Sequence, residues 1–506
     1  MRIPFPVHVP LSRVTCFAGI LFLIQLSQGT SAVFAIFCFI FIFLTGATFN
    51  LAGGFSRTSG VYVFAYAVLV VILGVCWKAV LGEPADSNLA QPQLTMKIYA
   101  GSMAVMFLAV GVSRKLTLKR PVLGNLVTDA NMQNATVGCL ITGSVIYFLM
   151  LVTDQRQEGT LLSALSQVNR FLPMALIFGV IHEVRKTGGR RSVNLAVLLS
   201  GGIILFIGLI GFSKELIFTP LLCWILAVGS QGYRLSKAQV AGLVFVVFLM
   251  VHYLVPYSQY ARNFEVETVG ARIGVAVDLL GDLEDVRYKY QEARLDYYAN
   301  QSQAYFNTPQ GFMDRLQMIS MDDGLIDITE KRTPIGPIPI LMGFQNLVPH
   351  FIWPGKPALH FGNIYAHEMG GLSADDDTTG ISFSPAGEAY HIQKWFGVLI
   401  WAPLLWIMLF VVFDSLCGDL RTHPWGLLVG AFFAHLAPEG MLGGIIHAVG
   451  VTGFGLVMAA FAAAYLMPIL GALIKGPERV TIRRIGPVRS IPRRDPYPVP
   501  QQGIGQ

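Results

Sequence analysis

Twelve apolar runs, most of them close to the ~20 residues that cross a bilayer as a helix, make up the greater part of this chain. They lie near 14–30, 32–53, 60–81, 97–113, 136–153, 166–183, 193–212, 215–232, 238–257, 394–413, 425–440 and 448–474. A backbone in lipid must satisfy its own hydrogen bonds, so the expected fold is an all-α polytopic membrane protein with about twelve spans. A composition 54% hydrophobic and 13% charged excludes an ordinary soluble domain. Length alone would suggest several soluble domains, but the repeated apolar runs favour one membrane domain.

One polar segment of 136 residues, 258–393, breaks the series. It divides the chain into spans one to nine (1–257), a large loop (258–393), spans ten to twelve (394–474) and a tail (475–506). The loop holds nine Lys/Arg and 18 Asp/Glu, net −9, while the rest of the chain is net +15. Basic residues fall in alternate short connections: Arg57; Arg114, Lys115, Lys119 and Arg120; Arg185, Lys186, Arg190 and Arg191; Arg234 and Lys237; Arg421. The intervening 83–96 has none and 154–165 only Arg156. The positive-inside rule then sets both termini in the cytoplasm and the large loop outside. Because the basic residues flank spans rather than share a folded face, nucleic acid is not an expected partner; the bilayer is.

The N-terminal Arg2, Arg13 and run 14–25 resemble a signal peptide, but a second run follows at once, so an uncleaved first span is expected. The Arg- and Pro-rich tail reads as disordered and lipid-surface-facing. Six cysteines, none in the large loop, show neither CxxC nor Cys/His metal spacing. No internal repeat is visible, which weakens a secondary-transporter reading.

Within the loop, 266–319 has helical periodicity, with Leu279, Leu283, Val286 and Tyr290 at three- and four-residue spacing, while the Pro/Gly-rich part from about 320 reads as irregular. Tyr288, Tyr290, Tyr297, Tyr298, Tyr305 and Phe306 either stack on sugar rings or pack loop helices together. Arg262, Arg272, Arg315, Arg332 and Lys356 are cations in an acidic loop; each either grips a phosphate or pairs with a local carboxylate. Lys214, in Gly211-Phe212-Ser213-Lys214, heads the eighth run and can meet an anionic group or sit at the interface. Glu388, just before the tenth run, is a candidate base or a loop anchor. His350, His360, His367 and His391 lack the i, i+4 spacing of a helix-borne zinc pair, so no metal site is assigned. Asp375-Asp376-Asp377 reads as a solvated turn. His435 and Glu439 lie one helical turn apart and could share a proton.

Val348-Pro349-His350-Phe351-Ile352-Trp353-Pro354-Gly355-Lys356-Pro357 resembles the Pro-aromatic-Trp-Pro-Lys-Pro element of Wzy-type oligosaccharide repeat-unit polymerases. Gly387-Glu388-Ala389-Tyr390 with Phe396-Gly397 is similar to their Glu-aromatic-Gly stretch, and Gly211-Phe212-Ser213-Lys214 to their Gly/Ser-basic element. Where relatives often carry Arg, this chain has His350 and Lys214; a lysine keeps the charge but loses the bidentate fork. In layout the likeness covers about 190–470. It implies a GT-C-like glycosyltransferase of the bacterial inner membrane, with its loop in the periplasm. Such an enzyme joins undecaprenyl-diphosphate-linked oligosaccharides in surface or exopolysaccharide biosynthesis, without a cofactor. A chain-length regulator and a flippase of the same pathway are its implied partners.

On this resemblance Lys214, Arg262, Arg272, Arg315 and Lys356 would hold the diphosphate. Trp353 and Tyr390 would contact glycan, and Glu388 or His350 would take the acceptor's proton. A ligase of the same architecture, a polysaccharide transporter or flippase, and a scaffold subunit of an export machine are the alternatives.

Overall fold

The computed structural model describes residues 1–475 apart from 154–168, 265, 267, 301–303, 350, 351, 354, 358, 374 and 378, and without the side chains of 294, 296–300 and 475. His350, Arg156, the rings of Tyr297 and Tyr298, and the tail beyond 475 therefore lie outside the described residues.

Each of the twelve apolar runs carries a helix. These are α1 (Leu11–Ser27), α2 (Ala32–Ala52), α3 (Thr58–Leu81), α4 (Pro92–Leu116), α5 (Asp129–Val152), α6 (Phe171–Lys186), α7 (Leu195–Ile210), α8 (Lys214–Ser230) and α9 (Lys237–Asn263). After the loop come α15 (Pro385–Cys417), α16 (Trp425–Glu439) and α17 (Met441–Ile474). Seven of them, α2 to α5, α9, α15 and α17, are long and apolar enough to cross a membrane. With no strand among the described residues, only an isolated bridge between Arg2 and Arg234, the protein is all-α and of the membrane-embedded type.

Side-chain caps fix several helix starts. Ser31, Asn194, Ser213 and Ser384 each accept a hydrogen bond from the backbone N–H three residues on, and Ser236 forms a reciprocal capping box with Gln239. Asp414 of α15 ties down the head of α3: Thr58 Oγ1 and Ser59 Oγ donate to its carboxylate at 2.6 and 2.7 Å, and Ser59 N at 3.1 Å. Helices α5 and α17 touch through glycines. A Cβ at Gly138 would lie 2.1 Å from the Met467 carbonyl, and one at Gly471 the same distance from that of Asn134.

The loop departs from its expected layout. It is helical in α10 (Val269–Gly281) and α11 (Leu283–Asn300), but 304–318 is bends and one short turn, where a helix was expected. Tyr305 and Phe306 are buried there, and the Lys78 ammonium stands 4.2 Å from the Tyr305 ring, so these two rings pack the fold. Conversely, the part expected to be irregular holds α12 (Ile319–Lys331), α13 (Ile338–Gln345), α14 (Phe361–Glu368) and the first turns of α15. Three of its prolines sit at helix starts, Pro337 at the N-cap of α13 and Pro339 and Pro385 in first turns, where a missing N–H costs nothing. Ile319, Leu325 and Ile326 of α12 are fully buried, and that tertiary burial outweighs its poor local helix signal. The last polar turns thus belong to α15, which kinks at Gln393 and Lys394 (φ +49°). Gly397 permits the kink, since a Cβ there would meet the Ala389 carbonyl at 1.8 Å.

Candidate functional site

At the loop-bearing end of the bundle, the turn between α7 and α8 carries Gly211-Phe212-Ser213-Lys214. Phe212 adopts φ +50°, its ring is buried against Tyr257, and Ser213 caps α8, so Lys214 and Glu215 open the helix. The last turn of α9 closes on this turn: Arg262 Nε donates to the Phe212 carbonyl at 3.2 Å, and Tyr257 to that of Leu209 at 2.9 Å. Arg262 is within Coulombic range of Arg315 and of Glu439. Arg315 donates to Gln259 Oε1 at 3.1 Å, and its turn rests on α8 through the stacked rings of Phe312 and Phe218, 5.6 Å apart. At the end of α16, His435 Nδ1 lies 3.7 Å from Glu439.

A second cationic group adjoins it. Arg170, at the head of α6, is in Coulombic range of His447 and of Tyr147, and Lys356 also acts on His447. Lys356 Nζ donates to the carbonyls of Val348 at 2.8 Å and Asn346 at 3.2 Å, while Leu347 packs on Gly450 of α17. Between the two groups, a cavity of about 70 Å³ opens among α5, α6, α8, α16 and α17, with Asn169, Arg170, Glu215 and Thr219 in its wall.

Three of the sequence-nominated cations, Arg262, Arg315 and Lys356, are thus held by neutral carbonyl or amide oxygens, which leaves their charge available to an anion. Like charges held near one another repel, and an anion between them reverses the sign. The structure brings Arg262 and Arg315 to the Lys214 turn, and sets Lys356 and Arg170 each within Coulombic range of His447. Arg272 lies on α10, one turn before the Ala276 that packs with Phe212 and Tyr257, and its Nε donates to the Val266 carbonyl at 3.4 Å. Trp353 is 40% exposed beside Lys356 in the chain.

The two nominated residues of α15 lie in the interior. Glu388 is 1% exposed; Tyr365 of α14 donates to one of its oxygens at 3.2 Å and the Leu442 backbone N–H of α17 to the other. The Tyr390 hydroxyl donates to Glu330 at 2.9 Å, and Lys394 lies 3.1 Å from the same oxygen. Next to them Asp322 accepts from Tyr99 at 2.7 Å, from Ser384 N at 3.0 Å and from the Ser384 hydroxyl. Burial pushes the Asp322 carboxyl up to about 7, against the lowering effect of those donors. Asp323 accepts from Ala90 N, Gln91 N and Thr95, anchoring α12 to the start of α4. His391 Nδ1 hydrogen-bonds with the Thr329 hydroxyl at 2.8 Å, and its Nε2 stands 3.2 Å from Glu368.

Among the described residues no three His, Cys, Asp or Glu side chains gather as for a metal. The Asp376 carbonyl accepts from Asn363 Nδ2 at 2.8 Å and lies 2.9 Å from His367 Nε2, as part of a turn. Arg170 and Asn169 escaped the sequence reading. Their signal was the one that drew attention to Lys214: polar residues heading an apolar run. No family model matches the chain, and neither does any curated protein or solved structure.

Proposed function

We propose that the protein is a polysaccharide polymerase of the Wzy type. It would join undecaprenyl-diphosphate-linked oligosaccharide units at the outer face of the bacterial inner membrane, with both termini in the cytoplasm and the loop in the periplasm. One observation carries the reading: Arg262 and Arg315 gather at the Gly-Phe-Ser-Lys turn, while Lys356, from the Trp-Pro-Gly-Lys-Pro element, and Arg170 both act on His447 of α17.

The chemistry suits that cluster. The acceptor hydroxyl oxygen bonds to the anomeric carbon of the donor sugar, the bond from that carbon to the lipid diphosphate breaks, and the leaving diphosphate takes the electron pair. Negative charge grows on the diphosphate, so preorganised cations lower the barrier by binding that state more tightly than the substrate. The acceptor's proton needs a base. Of the two expected from sequence, His350 lies outside the described residues and Glu388 is buried with both oxygens occupied. The His435–Glu439 pair, within Coulombic range of Arg262, is the better-placed acid–base couple.

The test is the length distribution of cell-surface glycan in a deletion strain complemented by Arg262→Ala, Arg315→Ala, Lys356→Ala or His435→Ala. Loss of long chains with accumulated single repeats, at normal protein level, is expected for the cations. Wild-type length in all four variants would sink the reading.

A further inference from the structure

Asn169 is 4% exposed, and among the described residues neither its amide nitrogen nor its amide oxygen has a hydrogen-bond partner. It lies in the wall of the 70 Å³ cavity next to Arg170, across from Glu215 and Thr219 of α8. A buried amide with both atoms unsatisfied is uncommon in folded proteins, and a ligand that supplies a donor and an acceptor removes its cost. The other groups in the wall point to the same chemistry: a guanidinium that donates, a carboxylate that accepts, and a hydroxyl that does both. Opposite charges facing one space suit a neutral, hydrogen-bonding group better than an anion. A volume of about 70 Å³ matches one small substituent of a sugar better than the ring with all its substituents.

Resting on the function proposed above, we infer that this cavity is a specificity subsite that receives one uncharged polar substituent, a hydroxymethyl or acetamido group, of the sugar next to the lipid diphosphate. Asn169 is its main determinant, with the phosphates held outside the cavity by Arg170, Arg262 and Arg315.

The test uses the full-length protein in detergent, its thermal midpoint read with inorganic pyrophosphate, glucose 1-phosphate and N-acetylglucosamine 1-phosphate. At least one sugar phosphate is expected to stabilise the wild type beyond pyrophosphate. Asn169→Leu and Asn169→Ala should bind that sugar phosphate about tenfold more weakly, the worth of one or two lost hydrogen bonds, and keep the pyrophosphate response. Equal responses of wild type and both variants to every probe would overturn the inference, as would a wild type that gains nothing from either sugar. The glycan assay separates the two ideas. Normal chains in Asn169→Leu beside lost chains in Arg262→Ala would remove the subsite alone. Normal chains in Arg262→Ala and the other cation variants would remove the polymerase reading itself.

Discussion

Replacing Glu388 distinguishes a brace from a base. In the folded protein its carboxyl joins three helices, accepting from Tyr365 of α14 and from the Leu442 N–H at the start of α17 while it sits on α15. Glu388→Ala leaves both donors buried without an acceptor, at about 1–3 kcal/mol each, and adds a cavity, so a loss of roughly 2–6 kcal/mol is expected. Glu388→Gln keeps the volume and one acceptor oxygen but turns an NH₂ toward a donor, costing about 1–3 kcal/mol. A carboxylate acting only as base would cost within about 0.5 kcal/mol of nothing on replacement. Thermal unfolding of the purified protein, followed by fluorescence-detected size exclusion, should rank wild type above Gln above Ala. Both variants melting at the wild-type midpoint while making no long glycan would refute the brace and restore Glu388 as the base.

Asp322 gives a pH dependence of definite sign. Burial holds its carboxyl up at about 7 in the folded state, above the ordinary aspartate value of 3.8, so the folded state binds more protons between those values; stability should fall as pH rises through that window and level off above it. Midpoints taken from pH 5 to 9 should show that decline in the wild type and a flatter profile in Asp322→Asn; equal slopes would contradict it. Asp414→Ala orphans the Thr58 and Ser59 donors and should cost about 2–4 kcal/mol, visible as a lower midpoint. Gly138→Val drives a side chain into the Met467 backbone and should reduce the yield of monodisperse protein, whereas the same change at Gly202, where an added Cβ meets no described atom outside its own helical turn within 4 Å, should not.

The apolar runs determined the helices and most of their bounds, because a chain that must satisfy its backbone in an apolar environment has little choice of local conformation. They also exposed Lys214 and the cations of an acidic loop as residues to explain. Which of these meet was decided elsewhere. Arg262 reaches Phe212 across 50 residues of chain, and Arg272, ten residues further on, lies on a different helix. Glu388 looked like a surface carboxylate because the polar run ended beside it, but α15 begins at Pro385 and carries it inside. The α12 helix was hidden because its stability comes from Asp322, Asp323 and the burial of Ile319, Leu325 and Ile326, contacts made with α4 and α15 rather than within its own turns. Asn169 and Arg170 carried the same local signal as Lys214, and only the packing of α6 against α8 and α16 set them around a cavity. Local chemistry selects the conformation of each segment; the order in which helices pack, written in contacts between residues far apart, selects which polar groups share a site.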